Sequence, residues 1–228
     1  MGKTAFALNI AQQSAVKAGA SVLIFSLEMS QEQLGQRLIA MQSRVESEKL
    51  KKGTLDVKDW DRINYALNEL NNTKIVIDDT AGISIMEMRN KCRRLKAEQG
   101  LDLIVVDYLQ LMTFDGRADS RQQEISALSR HLKLLAREMN CPVIVLSQLS
   151  RAPEMRQDKR PMLSDLRESG SIEQDADIVM FLYRDDYYNE NTEKPGVCEI
   201  NIAKHRSGPT DRIDLTWVAR YTKFSDKA

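Results

Sequence analysis

Gly2, Lys3 and Thr4 match the last three positions of a phosphate-binding loop, G-x-x-x-x-G-K-[ST]. In such a loop the backbone N–H groups face phosphate oxygens, the lysine reaches the β- and γ-phosphates, and the hydroxyl ligates Mg²⁺. The first glycine and the strand leading into the loop would lie before residue 1, so the expected unit, residues 1–228, begins inside the loop. The triplet alone is common, but here it opens an alanine-rich stretch, Ala5 to Val16, with apolar residues at helical spacing. Gly2, Lys3 and Thr4 are therefore expected at the N-terminus of a helix over 4–17.

Carboxylates and amides follow other apolar runs. Leu103-Ile104-Val105-Val106-Asp107 is an apolar strand ending in an acid, the pattern that holds a Mg²⁺ shell beside such a loop. The alternative is a buried strand that meets an acidic turn. Glu28 follows Val22 to Leu27 and is placed to polarise a water attacking a γ-phosphate, or else to serve as a carboxylate at the start of the next helix. Gln148 follows Val143 to Ser147 and has the donor and acceptor that a γ-phosphate sensor needs; the alternative is a surface glutamine.

Two basic segments lie further on. Leu149 to Asp177 is long and polar, with Arg151, Arg156, Lys159, Arg160 and Arg167 among Glu154, Asp158, Asp165 and Glu168. It reads as a generic charged loop or as a functional one whose backbone N–H groups, around Gly170, take DNA phosphates. Lys204-His205-Arg206-Ser207-Gly208 reads as an ordinary basic turn or as cations reaching a neighbouring subunit's nucleotide. His131 and His205 have no nucleophile or metal-ligand partner nearby in sequence and are expected to be structural or exposed.

Positioning these residues takes a layered α/β fold. Short β-branched runs (21–27, 74–78, 103–107, 143–147, 178–183) alternate with helical patterns (4–17, 31–45, 58–70, 84–99, 121–139), predicting a mostly parallel, twisted sheet with helices on both faces. Residues 198–204 and 213–218, around Ser207-Gly208-Pro209, predict an antiparallel hairpin at the sheet edge. In such folds ligands gather at the carboxyl ends of the strands, where Glu28, Asp107 and Gln148 all fall. The 228 residues suit one domain, and 33 basic against 33 acidic residues confine any nucleic-acid surface to a local patch. The three scattered cysteines fit packed thiols rather than metal or disulfide chemistry. No apolar stretch approaches a membrane span and no signal-peptide pattern opens the chain, so a soluble cytoplasmic protein is expected.

Several ordered strings closely resemble the C-terminal motor domain of DnaB-type replicative helicases, of RecA-like fold: Gly-Lys-Thr-Ala-Phe-Ala-Leu-Asn at the start, Ser26 to Met29, Val106 to Met112, Ser147 to Arg151, Asp165 to Asp177 and Ala203 to Pro209. The resemblance implies a P-loop NTPase that works as a homo-hexamer in the bacterial cytosol or nucleoid. It implies ATP and Mg²⁺ as cofactors and translocation on single-stranded DNA, 5′-to-3′, to unwind duplex at replication forks. By position, Gly2, Lys3 and Thr4 would bind nucleotide, Thr4 and Asp107 would hold Mg²⁺, Glu28 would be the base and Gln148 the γ-phosphate sensor. Lys204 and Arg206 would act on the neighbouring site, and Arg167, Glu168 and Gly170 would contact DNA. Primase and loader are partners expected of a full-length parent, whose collar and linker helix have no counterpart in these residues. Asp211 stands where the family usually has glycine, so a strained or rebuilt turn is expected there. The competing reading is a catalytically inactive module that binds single-stranded DNA or a ring partner.

Overall fold

The computed structural model describes residues 2–116 and 118–227, leaving out the side chains of Arg167, Glu168 and Ser169. The chain begins with α1 (Lys3–Ala18), β1 (Ser21–Ser26), α2 (Gln31–Ser43), α3 (Ser47–Lys52) and α4 (Val57–Asn71). β2 (Lys74–Asp78), α5 (Ile85–Gln99), β3 (Leu103–Asp107), α6 (Arg121–Met139) and β4 (Val143–Val145) follow. Short helices α7 (Ala152–Met155) and α8 (Gly170–Asp175) flank a 3₁₀ segment, Leu163–Ser169. The chain then forms β5 (Ile178–Tyr183), β6 (Val197–His205), β7 (Asp211–Val218) and β8 (Lys223–Asp226).

Among the described residues the strands form two sheets. One is wholly parallel, in the order β2-β1-β3-β4; the other is antiparallel, β5-β6-β7-β8. The expected hairpin is thus the centre of a four-stranded sheet rather than the edge of the parallel one. β5 pairs with β6 in the antiparallel sheet, which is covered on one face, so its burial alternates: Val179, Phe181 and Tyr183 are buried while Ile178 and Met180 are exposed. β3, buried throughout, has the continuous apolar character of a strand covered on both faces.

Alternate residues of β1 and β3 feed two cores, as the pleat requires. Leu23, Phe25, Ile104 and Val106 pack with Met88 and Cys92 of α5 and Leu128, Leu132 and Leu135 of α6. Val22, Ile24, Leu103 and Val105 pack on the other face with Ala7, Leu8 and Ala11 of α1 and Leu34, Leu38 and Met41 of α2. Ala5 and Phe6 of α1 turn the other way, joining Cys198, Ile200, Trp217 and Phe224 of the antiparallel sheet. α1 is therefore shared by both sheets. Asn9 secures it to β8: its Oδ1 accepts from the Phe224 N–H (3.1 Å), while its Nδ2 donates to the Ala5 carbonyl (2.7 Å) and the Thr222 carbonyl (3.3 Å). The Phe6 and Trp217 rings meet Phe224 at centroid distances of 5.5 and 4.6 Å.

All three cysteines are buried and free. Burial pushes the Cys92 thiol up to about 12 and the Cys198 thiol up to about 11, and raises that of Cys141. Asp211 is an ordinary strand residue opposite Ile202, so the non-glycine there carries no backbone strain. Close approach instead concerns Gly208, where a Cβ would lie 2.5 Å from the His205 ring. His131 is exposed. Among the described residues no helix is long and apolar enough to cross a membrane.

Two buried carboxylates hold the segment between β4 and β5. Asp165, 2% exposed, accepts from both terminal nitrogens of Arg156 (2.9 and 2.7 Å) and from the Met162 N–H (2.8 Å). Glu199 of β6, 3% exposed, accepts from Arg160 Nε and Nη2 (2.8 and 2.9 Å), and the same guanidinium lies over the Tyr183 ring at 4.5 Å. Bidentate pairing fixes both distance and plane, so Arg160 docks the segment on the antiparallel sheet.

Arg160 holds the folded Glu199 carboxyl below its ordinary value, against the opposing effect of burial. The pair's contribution is therefore complete above the unfolded glutamate value, about pH 4.3, and is lost as pH falls through the lowered folded one. Arg160→Met leaves the buried carboxylate only the longer contacts of Lys194 (3.5 Å) and Arg212 (3.7 Å) and should cost roughly 2 kcal/mol at neutral pH. In urea unfolding, the gap between wild type and Glu199→Gln should narrow below about pH 4; a gap independent of pH would remove charge pairing as the cause.

Candidate functional site

The parallel register sets Ser26 beside Asp107 and Val106 beside Val145, so β1, β3 and β4 end together. Backbone bonds continue the alignment beyond the strands: Leu27 N–H to the Asp107 carbonyl (2.7 Å) and Leu146 N–H to the Val106 carbonyl (2.9 Å). The N-terminus of α1 meets this same end, because Lys3 Nζ donates to the Ser147 carbonyl at 2.7 Å. β4 stops at Val145, short of the expected 147, which leaves the Ser147 carbonyl available to Lys3 rather than to a strand partner.

Gly2 caps α1 with φ of 81°, a left-handed conformation that glycine adopts without strain. No side chain caps the helix and its first turn holds no acid. Among the described residues the first intrahelical bond is Phe6 N–H to the Gly2 carbonyl, and the N–H groups of Lys3, Thr4 and Ala5 lie ahead of it. The result is a helix terminus with positive character and donors to spare.

Asp107 lies beneath it, 4% exposed, and its Oδ2 has no hydrogen-bond partner among the described residues. Burial raises its carboxyl above the usual range and Glu28 adds to the rise; the Thr4 hydroxyl, Lys3 and Arg37 oppose it. Burial likewise lowers the Lys3 ammonium, against the pull of Asp107 and Glu28. The orphaned Asp107 oxygen and the Thr4 hydroxyl form an all-oxygen donor set at a helix N-terminus. It fits Mg²⁺, which keeps waters and phosphate oxygens and needs few protein ligands. Among the described residues no cluster of three or more His, Cys, Asp or Glu suggests a dedicated metal cage.

Glu28 is exposed between β1 and α2. It is not the cap of α2. Ser30 takes that place, its hydroxyl accepting from Gln33 N–H (3.3 Å) while Gln33 Oε1 accepts from Ser30 N–H (3.2 Å), and Asp79 reaches across to the Gln31 N–H (2.8 Å). The Glu28 carboxylate instead acts electrostatically on Lys3 and Asp107.

Gln148 is exposed just past β4, its backbone held by a residue that the sequence reading did not single out. Gln110 accepts from the Gln148 N–H at 3.2 Å and donates to the Ser147 hydroxyl at 2.9 Å. Gln110 lies three residues after Asp107, in the 3₁₀ turn Leu109–Leu111, which brings it to the Gln148 backbone.

Lys204 and Arg206 are not brought to this cluster. They end β6 against α8, where Lys204 donates to the Glu173 carbonyl and Arg206 to the Gln174 carbonyl (3.0 Å) and Asp177 (3.1 Å). Gly170 is exposed and right-handed, opening α8. The Arg167 and Glu168 side chains lie outside the described residues.

A family described as the DnaB-like helicase C terminal domain matches residues 1–226. The replicative DNA helicase DnaC of Bacillus subtilis (strain 168) is 56% identical over 225 residues, 98% of this chain and 50% of that protein. The replicative DNA helicase DnaB of Geobacillus stearothermophilus is 55% identical over the same shares. The chain thus spans about half the length of the curated relatives it matches. Among solved structures, one described as an ATPase domain superposes with TM-score 0.96 and 44% identity, covering all of this chain and 81% of that one. A DnaB-like replicative helicase described with its primase interactions gives the same score and identity, with 55% of its chain covered. The fold is accordingly the RecA-like α/β fold of these ATPase domains. By family match and by identity across nearly its whole length, this chain belongs to the DnaB-like helicase C-terminal domains.

Proposed function

We propose that the chain is the motor portion of a replicative DNA helicase. It hydrolyses ATP at a site completed by the next subunit of a homo-hexameric ring, moves 5′-to-3′ on single-stranded DNA, and so parts the duplex at replication forks. The observation that carries this reading is the meeting of Lys3, Thr4, Glu28 and the unpartnered oxygen of Asp107 at the N-terminus of α1. Unwinding is proposed for the whole protein, as is any engagement of primase or loader, since the matched relatives are about twice as long.

The N–H groups of α1 and the Lys3 ammonium bind the β- and γ-phosphates, Lys3 leaving the Ser147 carbonyl to do so. Thr4 and Asp107 supply oxygen donors for Mg²⁺, whose charge offsets that of the phosphates. Glu28 accepts a proton from the water that attacks the γ-phosphorus, and ADP leaves. Gln148, aligned by Gln110, contacts the γ-phosphate and relays its presence to the segment beyond β4. Lys204 and Arg206 act on the neighbour's nucleotide, which fits their distance in partners from their own subunit's Lys3 cluster. Such a cation in trans is worth about 10³ to 10⁵ in rate. Arg167, Glu168 and the backbone at Gly170 contact the DNA strand, and the different DNA affinities of ATP and ADP states drive movement.

Four measurements on the full-length protein test these roles. Glu28→Gln should bind a fluorescent ATP analogue with unchanged affinity and lose about 10² to 10⁴ in turnover; full turnover would take the base role from Glu28. Lys3→Ala should lose nucleotide binding, and if the unsubstituted protein also bound single-stranded DNA but no nucleotide, the passive-module reading would replace this one. Arg206→Ala doped into wild-type rings should silence neighbouring sites in proportion to its share, whereas strictly independent subunits would exclude action in trans. For DNA contact, Arg167→Ala should reduce the log–log salt slope of binding by about 0.7, and an unchanged slope would make that arginine structural.

A further inference from the structure

The two cations proposed to act in trans are engaged within their own subunit. Lys204 donates to the carbonyls of Glu173 and, at 3.4 Å, Gln174, the last turn of α8, where a helix presents unpaired acceptors and negative dipole. Arg206 donates to the Gln174 carbonyl at 3.0 Å and pairs with Asp177 at 3.1 Å, while its own N–H bonds the Asp177 carbonyl at 2.8 Å. Asp177 also pairs with Lys133 of α6, and Ser129 of α6 donates to Asp175 at 2.8 Å. α6 thus braces the same corner. α8 directly continues the 3₁₀ segment Leu163–Ser169, which carries the residues assigned to DNA contact.

Resting on that reading, we propose that Asp177 is a positioning residue that restrains Arg206 on its own subunit. The restraint is a cis latch that the neighbour's γ-phosphate must displace. Both head groups keep N–H donors to spare, so the competition is one of position: turning them outward to a phosphate on another subunit gives up the α8 carbonyls and Asp177. Each engagement in trans therefore uncaps the C-terminal turn of α8 and frees Asp177. That loosens the helix immediately behind the DNA-contacting segment. Linkage makes the effect reciprocal: DNA that reorders this segment weakens the latch and eases release of the cations toward the neighbouring nucleotide.

The test is steady-state ATPase of full-length rings, with and without single-stranded DNA, for wild type, Asp177→Asn, Asp177→Glu and Arg206→Ala. Without DNA, Asp177→Asn should lower the KM for ATP about two- to fivefold, the worth of a half-exposed ion pair. Stimulation by DNA should shrink to match, and Asp177→Glu should restore both. A fall in kcat with unchanged KM would overturn the latch, showing that Asp177 presents the finger rather than restrains it; unchanged KM, kcat and stimulation would overturn it too. Arg206→Ala separates the two levels. Full hydrolysis in that variant defeats the trans-acting assignment itself, whereas lost hydrolysis combined with an inert Asp177→Asn defeats only the latch.

Discussion

The arrangement of this molecule depends on α1 being packed against two sheets at once. Its middle turns lie on β1 and β3, its first turn lies on β6 and β8, and Asn9 hydrogen-bonds the backbone of the last strand. A helix held from two sides has its N-terminus fixed in direction as well as position. Lys3 therefore reaches the end of β4 and Thr4 comes beside Asp107. Alanines at positions 5, 7, 11 and 15 let both sheets approach the helix closely.

Charge is handled in opposite ways in the two halves. Asp165 and Glu199 are buried and fully met by arginines, so their charges fix the segment between β4 and β5. Asp107 is equally buried, yet one of its oxygens is unmet and its carboxyl is pushed up. A protein that satisfies its other buried acids has left this one incomplete. An unpaired buried carboxylate is unfavourable in the absence of a counter-charge, and such local cost is characteristic of sites where a ligand completes the bonding.

Much of this could be read from the chain, and what escaped has identifiable causes. The boundaries of β2, β3 and α6 follow from apolar runs and caps that are local signals. The strings around Glu28, Asp107 and Gln148 placed them at or just past strand ends, and that around Lys3 placed it at a helix N-terminus, where the structure has them. β8 was missed because four residues, Lys223 to Asp226, carry too little pattern, and the strand forms through its pairing with β7 and a bond from the Phe224 N–H to Asn9 at the other end of the chain. The division into two sheets was missed because apolar runs report that a strand exists but not its partner; β5 is apolar at every position, and its alternating burial shows only in the fold. Gln110 and the pairing of Arg206 with Asp177 depend on long-range geometry, to which spacing along the chain is blind.

The burial of all three cysteines makes the surface of this domain chemically silent toward thiol reagents. Cys92 and Cys198 would have to ionise with thiols at about 12 and about 11, and each is walled in by core side chains. The thiolate is the reactive form. One cysteine introduced at an exposed position would therefore accept a fluorophore or spin label selectively, with no need to strip out the native sulfur. Pairs of such labels would turn the domain into its own distance gauge.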